Sequence, residues 1–218
     1  MKVYALNASP RKGWNCDQLL DRFIEGVRDT APEIEVEKVN IYDLDYKGCR
    51  SCFACMHKST ENGFCLYRDG AYELLRNIKT GDGLVFSAPI YYSEVPSQMR
   101  ALIERLFHPG NAPHEIPVTM IYTMNQPEDV SERRFRPHMD GIGGTFRGAF
   151  HTEPDEVDAY FTLHWQHPED YNWPMELYDR KVEYKEKQWP VDLQNCYDAG
   201  VRFAGRVRET VDRRNAEE

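Results

Sequence analysis

Two groups of residues in this chain have the types and spacing to do chemistry. The first is the run Asn7–Cys16, NASPRKGWNC, where Ser9, Arg11, Lys12 and Asn15 offer a hydroxyl, a guanidinium, an ammonium and an amide within a few positions. Gly13 gives the turn a residue that tolerates positive φ. A short apolar run, Val3–Leu6, leads into the loop, and Leu19, Leu20, Phe23, Ile24 and Val27 follow it at helical spacing. Strand, loop and helix in that order aim the N–H groups of a helix N-terminus, and the positive end of its dipole, at whatever lies beyond the strand. The loop therefore predicts an anion site, most simply for a phosphate. Neither G-x-x-x-x-G-K-[ST] nor G-x-G-x-x-G occurs here, so the common nucleotide loops do not account for it. A solvated turn with two exposed bases is the plainer alternative.

The second group is Cys49-x2-Cys52-x2-Cys55-x9-Cys65. Three thiols at three-residue steps let one loop wrap a compact centre, as in iron–sulfur runs. Structural zinc more often takes two separated Cys-x-x-Cys pairs, which makes zinc the weaker metal reading; small buried residues are the alternative to any cluster. His164 and His167 have ligand-like spacing but no accompanying carboxylate pattern, so they are not read as a metal site. Cys196 is assigned to the core and Glu183–Lys187 to a solvated face.

The elements that must position these residues follow from periodicity. Glu33–Ile41 alternates as an edge strand whose register slips at Lys38. A cysteine-rich loop, 44–68, precedes a helix N-capped by Asp69 and running to about Ile78. Leu84–Phe86 is continuously apolar, as in a strand buried on both faces, and it ends in Ser87–Ser93, SAPIYYS. Val95, Met99, Leu102, Ile103 and Leu106 mark a helix, and Pro117–Thr123 a fourth strand. A helix is read from Ser131 through Phe150 and a fifth strand at Val157–Leu163. An aromatic excursion at 165–190 holds Tyr171, Trp173, Tyr178, Tyr184 and Trp189. A last helix over Val191–Arg213 then buries Leu193, Tyr197, Val201, Ala204 and Val207.

This alternation predicts an α/β fold: a five-stranded parallel sheet in the order 2-1-3-4-5, with helices on both faces, in a single domain over residues 1–218. Its switch point lies between the first and third strands, which brings Asn7–Cys16 and Ser87–Ser93 to one crevice. With 218 residues, 41% of them hydrophobic, the chain can bury a full core without staples. A formal net charge of −9 argues against a general nucleic-acid or anionic-membrane partner. No apolar leader precedes the first strand, and the longest nearly apolar run, Gly83–Tyr92, is far short of a membrane span; the expectation is a cytoplasmic protein. Six cysteines then read as thiols or ligands rather than disulfides.

The loop NASPRKGWNC resembles the phosphate loop of the NADPH-dependent FMN reductase and iron–sulfur flavoprotein branch of flavodoxin-like proteins, N-x-S-P-R-K-x-x-N-[ST]. Cys16 stands where that pattern has a hydroxyl residue. SAPIYYS and the following QMRALIER are similar to the same family's S-P-[IV]-Y-[WFY] and Q-[ML]-[KR]-x-[LF]-I-[DE]-R, and EYKEKQWPVDLQNCYDAG also looks like members of the branch. The resemblance implies FMN, with its phosphate on Ser9, Arg11, Lys12, Asn15 and Cys16. Its ring would lie against Pro89, Ile90, Tyr91, Tyr92 and Ser93, with Thr123 as a third contact. The amides of Ile90–Ser93 would be free for it. The resemblance also implies a flavodoxin-like three-layer sandwich and an oxidoreductase passing electrons from NAD(P)H through FMN to a small-molecule or protein acceptor. No residue is assigned as general acid or base. For Cys49, Cys52, Cys55 and Cys65 it implies a [4Fe–4S] cluster fed by ferredoxin, although the last gap is longer than in those proteins. A homodimer or homotetramer is the expected assembly.

Overall fold

The computed structural model describes residues 1–58, 63–107, 110–165, 167–172 and 174–217. Residues 59–62 of the long cysteine gap and Trp173 of the aromatic excursion lie outside the described residues. Five strands, β1 (Lys2–Asn7), β2 (Glu35–Asn40), β3 (Gly83–Pro89), β4 (Val118–Thr123) and β5 (Asp155–Ala159), form one parallel sheet in the order β2-β1-β3-β4-β5. The helices are α1 (Asn15–Thr30), α2 (Tyr72–Thr80), α3 (Ser97–Phe107), α4 (Glu128–Arg134), α5 (Arg136–Phe150) and α6 (Met175–Glu217).

Alternation along the strands sorts the side chains into two cores. Tyr4, Leu6, Leu84, Phe86, Met120 and Tyr122 pack with α2, α3 and α5 on one face. Val3, Ala5, Val85, Ile121 and Val157 pack with α1 and α6 on the other. The expected three layers and strand order are therefore present. β2 is an edge, and Lys38, where its alternation slips, turns to α1 and pairs with Asp17 at 2.6 Å and Asp21 at 2.5 Å.

Several boundaries differ from expectation, each for a local reason. Asp69 does not cap α2: the preceding residue at the helix start is Ala71. Asp69 Oδ1 instead accepts from the Ala71 amide, and Oδ2 from Arg105 at 2.6 Å, because a buried guanidinium needs a carboxylate more than a helix end does. The helix read from Ser131 is two helices broken at Phe135, and Pro137 falls in the first turn of α5, where a missing N–H costs nothing. β5 starts and ends earlier than Val157–Leu163, and the chain turns away through Phe161 at φ 51°.

The largest difference is the excursion. Most of it is helix, since α6 spans 43 residues with Pro190 inside it. An internal proline costs about 3 kcal/mol, and the apolar stripe buried beyond it, Cys196 to Val207, offsets that cost. The buried stripe keeps Ala204 and Val207, as expected, and otherwise runs through Cys196, Ala199, Gly200 and Phe203, while Leu193, Tyr197 and Val201 are only half-buried. Cys196 is core, as expected.

Small residues set the α1–α6 approach. A Cβ on Gly26 would stand 2.2 Å from the Tyr197 carbonyl oxygen, and one on Gly200 2.1 Å from that of Phe23. Beside this contact Asp192 is buried, with Gln188 Nε2 donating to it at 2.9 Å. Burial pushes its carboxyl from an ordinary 3.8 up to about 6. The native state then binds the proton more tightly than the unfolded chain, so stability is expected to fall as pH rises from about 4 to about 6. Asp192→Asn should remove that slope, as read from urea midpoints across the window; an unchanged slope refutes the assignment.

Candidate active site

The loops after β1, β3 and β4 meet at the carboxyl end of the sheet, at the switch point. Between them is an open cavity of about 570 Å³ lined by Ser9, Arg11, Asn15, Cys16, Pro89, Ile90, Tyr91, Tyr92, Ser93 and Thr123. Every residue expected to touch FMN is there except Lys12. Lys12 points away and pairs with Asp43 at 2.7 Å, because the turn at Gly13 (φ 74°) sends neighbouring side chains to opposite sides.

The phosphate end is built by the loop on itself. Ser9 Oγ accepts from the Arg11 amide at 3.2 Å, and Asp17, in the first turn of α1, accepts from the Gly13 amide at 2.6 Å. Arg11 lies over the Trp14 ring at 4.4 Å and donates to the His164 carbonyl at 2.7 Å. Asn15 Nδ2 donates to the Leu163 carbonyl at 2.8 Å. Trp14, at the start of α1, makes no side-chain cap bond, so the first-turn amides lack that internal acceptor. Cys16 is buried, 3.2 Å from Thr123 Oγ1, and burial pushes its thiol up to about 11. Burial thus favours its neutral form in the wall.

The other end is a tight turn. The amides of Tyr91 and Glu94 exchange bonds with each other's carbonyls at 2.8 and 3.1 Å, and Tyr92 and Ser93 between them take φ of 50° and 74°. Left-handed backbone at two non-glycine residues is strained, and such strain concentrates at ligand sites. The Ile90 amide bonds to the Thr123 carbonyl at 3.0 Å, so the amides of Ile90 and Tyr91 are used by the protein, contrary to expectation. Those of Tyr92 and Ser93 have no described acceptor. Tyr92 is fully exposed and Tyr91 partly so.

Trp14, Arg134, Phe135, Thr162 and His164 also line the cavity, with Asn125 and Gln126 from the loop after β4. Phe135 had a visible signal as the first periodic position of its helix, and Asn125 and Gln126 follow the fourth strand directly. His164 carried only its spacing to His167. Asn125 Oδ1 is a buried acceptor without a described donor, which leaves one polar wall position for a ligand to complete.

The four clustered cysteines are free thiols that line a second, narrow cavity together with Arg105. Arg105 is buried and donates to Cys65 Sγ at 3.4 Å as well as to Asp69. Burial, with the neighbouring thiols, pushes Cys55 upward. Among the described residues no three His, Cys, Asp or Glu side chains stand as a ligand set for a metal ion, His164 and His167 included.

The chain is 33% identical over 113 residues to an iron–sulfur flavoprotein of Archaeoglobus fulgidus, covering 52% of this chain and 49% of that one. It is 30% identical over 105 residues to an iron–sulfur flavoprotein of Methanosarcina thermophila, covering 48% and 52%. The chain thus spans about half the length of these curated relatives. The azoreductase of Bacillus anthracis str. Sterne superposes with a TM-score of 0.65 at 15% identity, over 92% of this chain and 99% of the other, which shows a shared fold. Among the described residues no helix is long and apolar enough to cross a membrane. Residues 1–175 match the family described as NADPH-dependent FMN reductase, and with the sheet order, the phosphate-type loop and the cavity between β1 and β3 already in place, the chain belongs to that family.

Proposed function

We propose that the chain holds FMN in the switch-point cavity and passes electrons from NAD(P)H through it to a small-molecule or protein acceptor. The observation that carries this is the convergence of a donor-rich helix N-terminus and an apolar, aromatic bend on one cavity of about 570 Å³, within the usual range for a cofactor site. Ser9, Arg11, Asn15 and the first amides of α1, with Cys16 behind them, would hold the phosphate. Pro89 and Ile90 would form the wall for the ring, Tyr91 and Tyr92 its aromatic cover, and Ser93 and Thr123 its polar edge. Bound flavin supplies hydride acceptance and electron release, so the protein's task is to orient rings and exclude water. Neither task needs a general acid or base. Rapid mixing of FMN-loaded protein with NADPH tests the reading: prompt loss of the flavin band supports it, and a colourless protein that takes up no FMN refutes it. Lys12→Ala should change FMN affinity by less than about threefold, because an exposed pair such as Lys12–Asp43 couples weakly to its surroundings. A titration of flavin fluorescence reads this directly.

A second reading is favoured by the cysteine cavity. Cys49, Cys52, Cys55 and Cys65 would carry a [4Fe–4S] cluster that takes electrons from ferredoxin, and Arg105 would balance its negative charge. An anaerobic assay of iron and acid-labile sulfide separates this from zinc and from an empty thiol cluster. We further propose a single domain acting in the cytoplasm, where free thiols persist, and a homodimer or homotetramer that would cover the fully exposed Tyr92. Sedimentation of the FMN-loaded protein tests the assembly.

A further inference from the structure

We infer that Lys181 is a positioning residue for this site, tying the loops after β4 and β5 together and holding a buried positive charge behind the cavity wall; the inference rests on the FMN reading above. Lys181 lies near the start of α6 with no exposed surface. Its Nζ donates to the Asn125 carbonyl at 2.8 Å and the Thr162 carbonyl at 3.0 Å, and sits 4.2 Å from the centre of the Phe161 ring. Asn125 and Thr162 both line the cavity. The amine is thus one hydrogen bond behind the surface that a ligand would meet.

Both acceptors of Lys181 are neutral backbone carbonyls, as they are for the buried Lys79. Two carbonyls satisfy the two N–H groups of a neutral amine, and the ring face is what remains for the third proton of an ammonium. Burial alone pulls its pKa down to about 7, so the charge changes within the working range of pH. The groups facing it do not mask that change. His164, from the loop after β5, is held at about 4 by burial and by the Lys181 charge, and is neutral where Lys181 titrates. Arg180 and Tyr184 of α6 reach the Phe161 ring, and the loop after β4 contributes the Asn125 carbonyl. Arg11, from the loop after β1, reaches the His164 carbonyl.

A flavin ring gains negative charge on reduction, so a nearby cation favours the reduced form. At an effective dielectric of about 20, a unit charge within about 12 Å changes such a balance roughly tenfold. The test compares FMN-loaded wild type with Lys181→Met by the ratio of affinities for reduced and oxidised FMN. The variant should lower that ratio by about tenfold near pH 6, equivalent to about 30 mV for a two-electron couple. Near pH 9, where wild-type Lys181 is neutral, the difference should shrink to less than about twofold. An equal loss at both pH values would mean a structural tie without the charge, and no loss at either would remove both roles; each overturns the inference. Lys181→Gln, which keeps a donor for the carbonyls, covers the case in which methionine prevents folding. Carbon-13 lysine spectra of wild type give a reading without a variant: one lysine should titrate near pH 7 and move upward when FMN is reduced, and no responding lysine overturns the inference. Failure of wild type to bind FMN shows before any variant is compared, and marks the FMN reading itself as wrong.

Discussion

Valine at position 200 is expected to destabilise the protein by about 3 kcal/mol or more. The Cβ alone would stand 2.1 Å from the Phe23 carbonyl oxygen and 3.0 Å from its carbon, and both atoms are backbone of α1. A clash with a flexible side-chain tip can relax by rotation; one with a helix backbone separates the helices and opens the Phe23–Phe203 contact, whose rings lie 5.3 Å apart. Gly205 on the same helix provides the contrast, since a Cβ there meets nothing within 4 Å. Gly205→Ala should therefore stabilise by up to about 1 kcal/mol through helix propensity. Urea unfolding followed by circular dichroism distinguishes the two. If Gly200→Val comes within about 0.5 kcal/mol of wild type, the range ordinary for surface changes, the close approach of α1 and α6 is wrong.

Asn15→Asp should weaken FMN binding by about a hundredfold, or roughly 2.7 kcal/mol. The substitution keeps the side-chain shape and replaces a donor by a carboxylate. It sets negative charge at the end of α1 where the phosphate is to sit, and also faces the Leu163 carbonyl that Asn15 Nδ2 now satisfies at 2.8 Å. The helix dipole offsets only part of this, by about 0.3–1 kcal/mol. Asn15→Ser, which retains a donor, should recover most of the affinity. Equal binding by wild type and Asn15→Asp, measured by equilibrium dialysis of FMN, would move the phosphate elsewhere.

What could be read from the sequence is what short-range pattern encodes. The strand–loop–helix at Asn7–Cys16 and the unbroken apolar run of β3 mark the two central strands, and their adjacency follows from the topology of parallel sheets. That pattern is enough to bring Ser9, Arg11, Asn15 and Tyr91 to one cavity. The direction of Lys12 was not readable, because a turn at positive φ separates neighbours that composition treats alike. The start of α6 was hidden by Pro190, which normally ends a helix and here does not. Gly26 and Gly200 look like helix weakeners in sequence; only the partner backbone shows why a larger residue cannot stand there. Lys181 sits in a charge-rich run, and nothing local to it announces that two distant carbonyls remove it from solvent.

The family match stops at residue 175, and α6 begins at Met175. The end of that match is therefore not a border of cooperativity. A fragment ending there would lose the helix packed against α1, uncovering Phe23 and Val27 of α1, and would take with it the amine behind the cavity. Recombinant pieces trimmed to the shared segment should clump instead of folding, while the same segment supplied with residues 175–217 in trans is the smallest mixture from which a native-like sheet could be rebuilt.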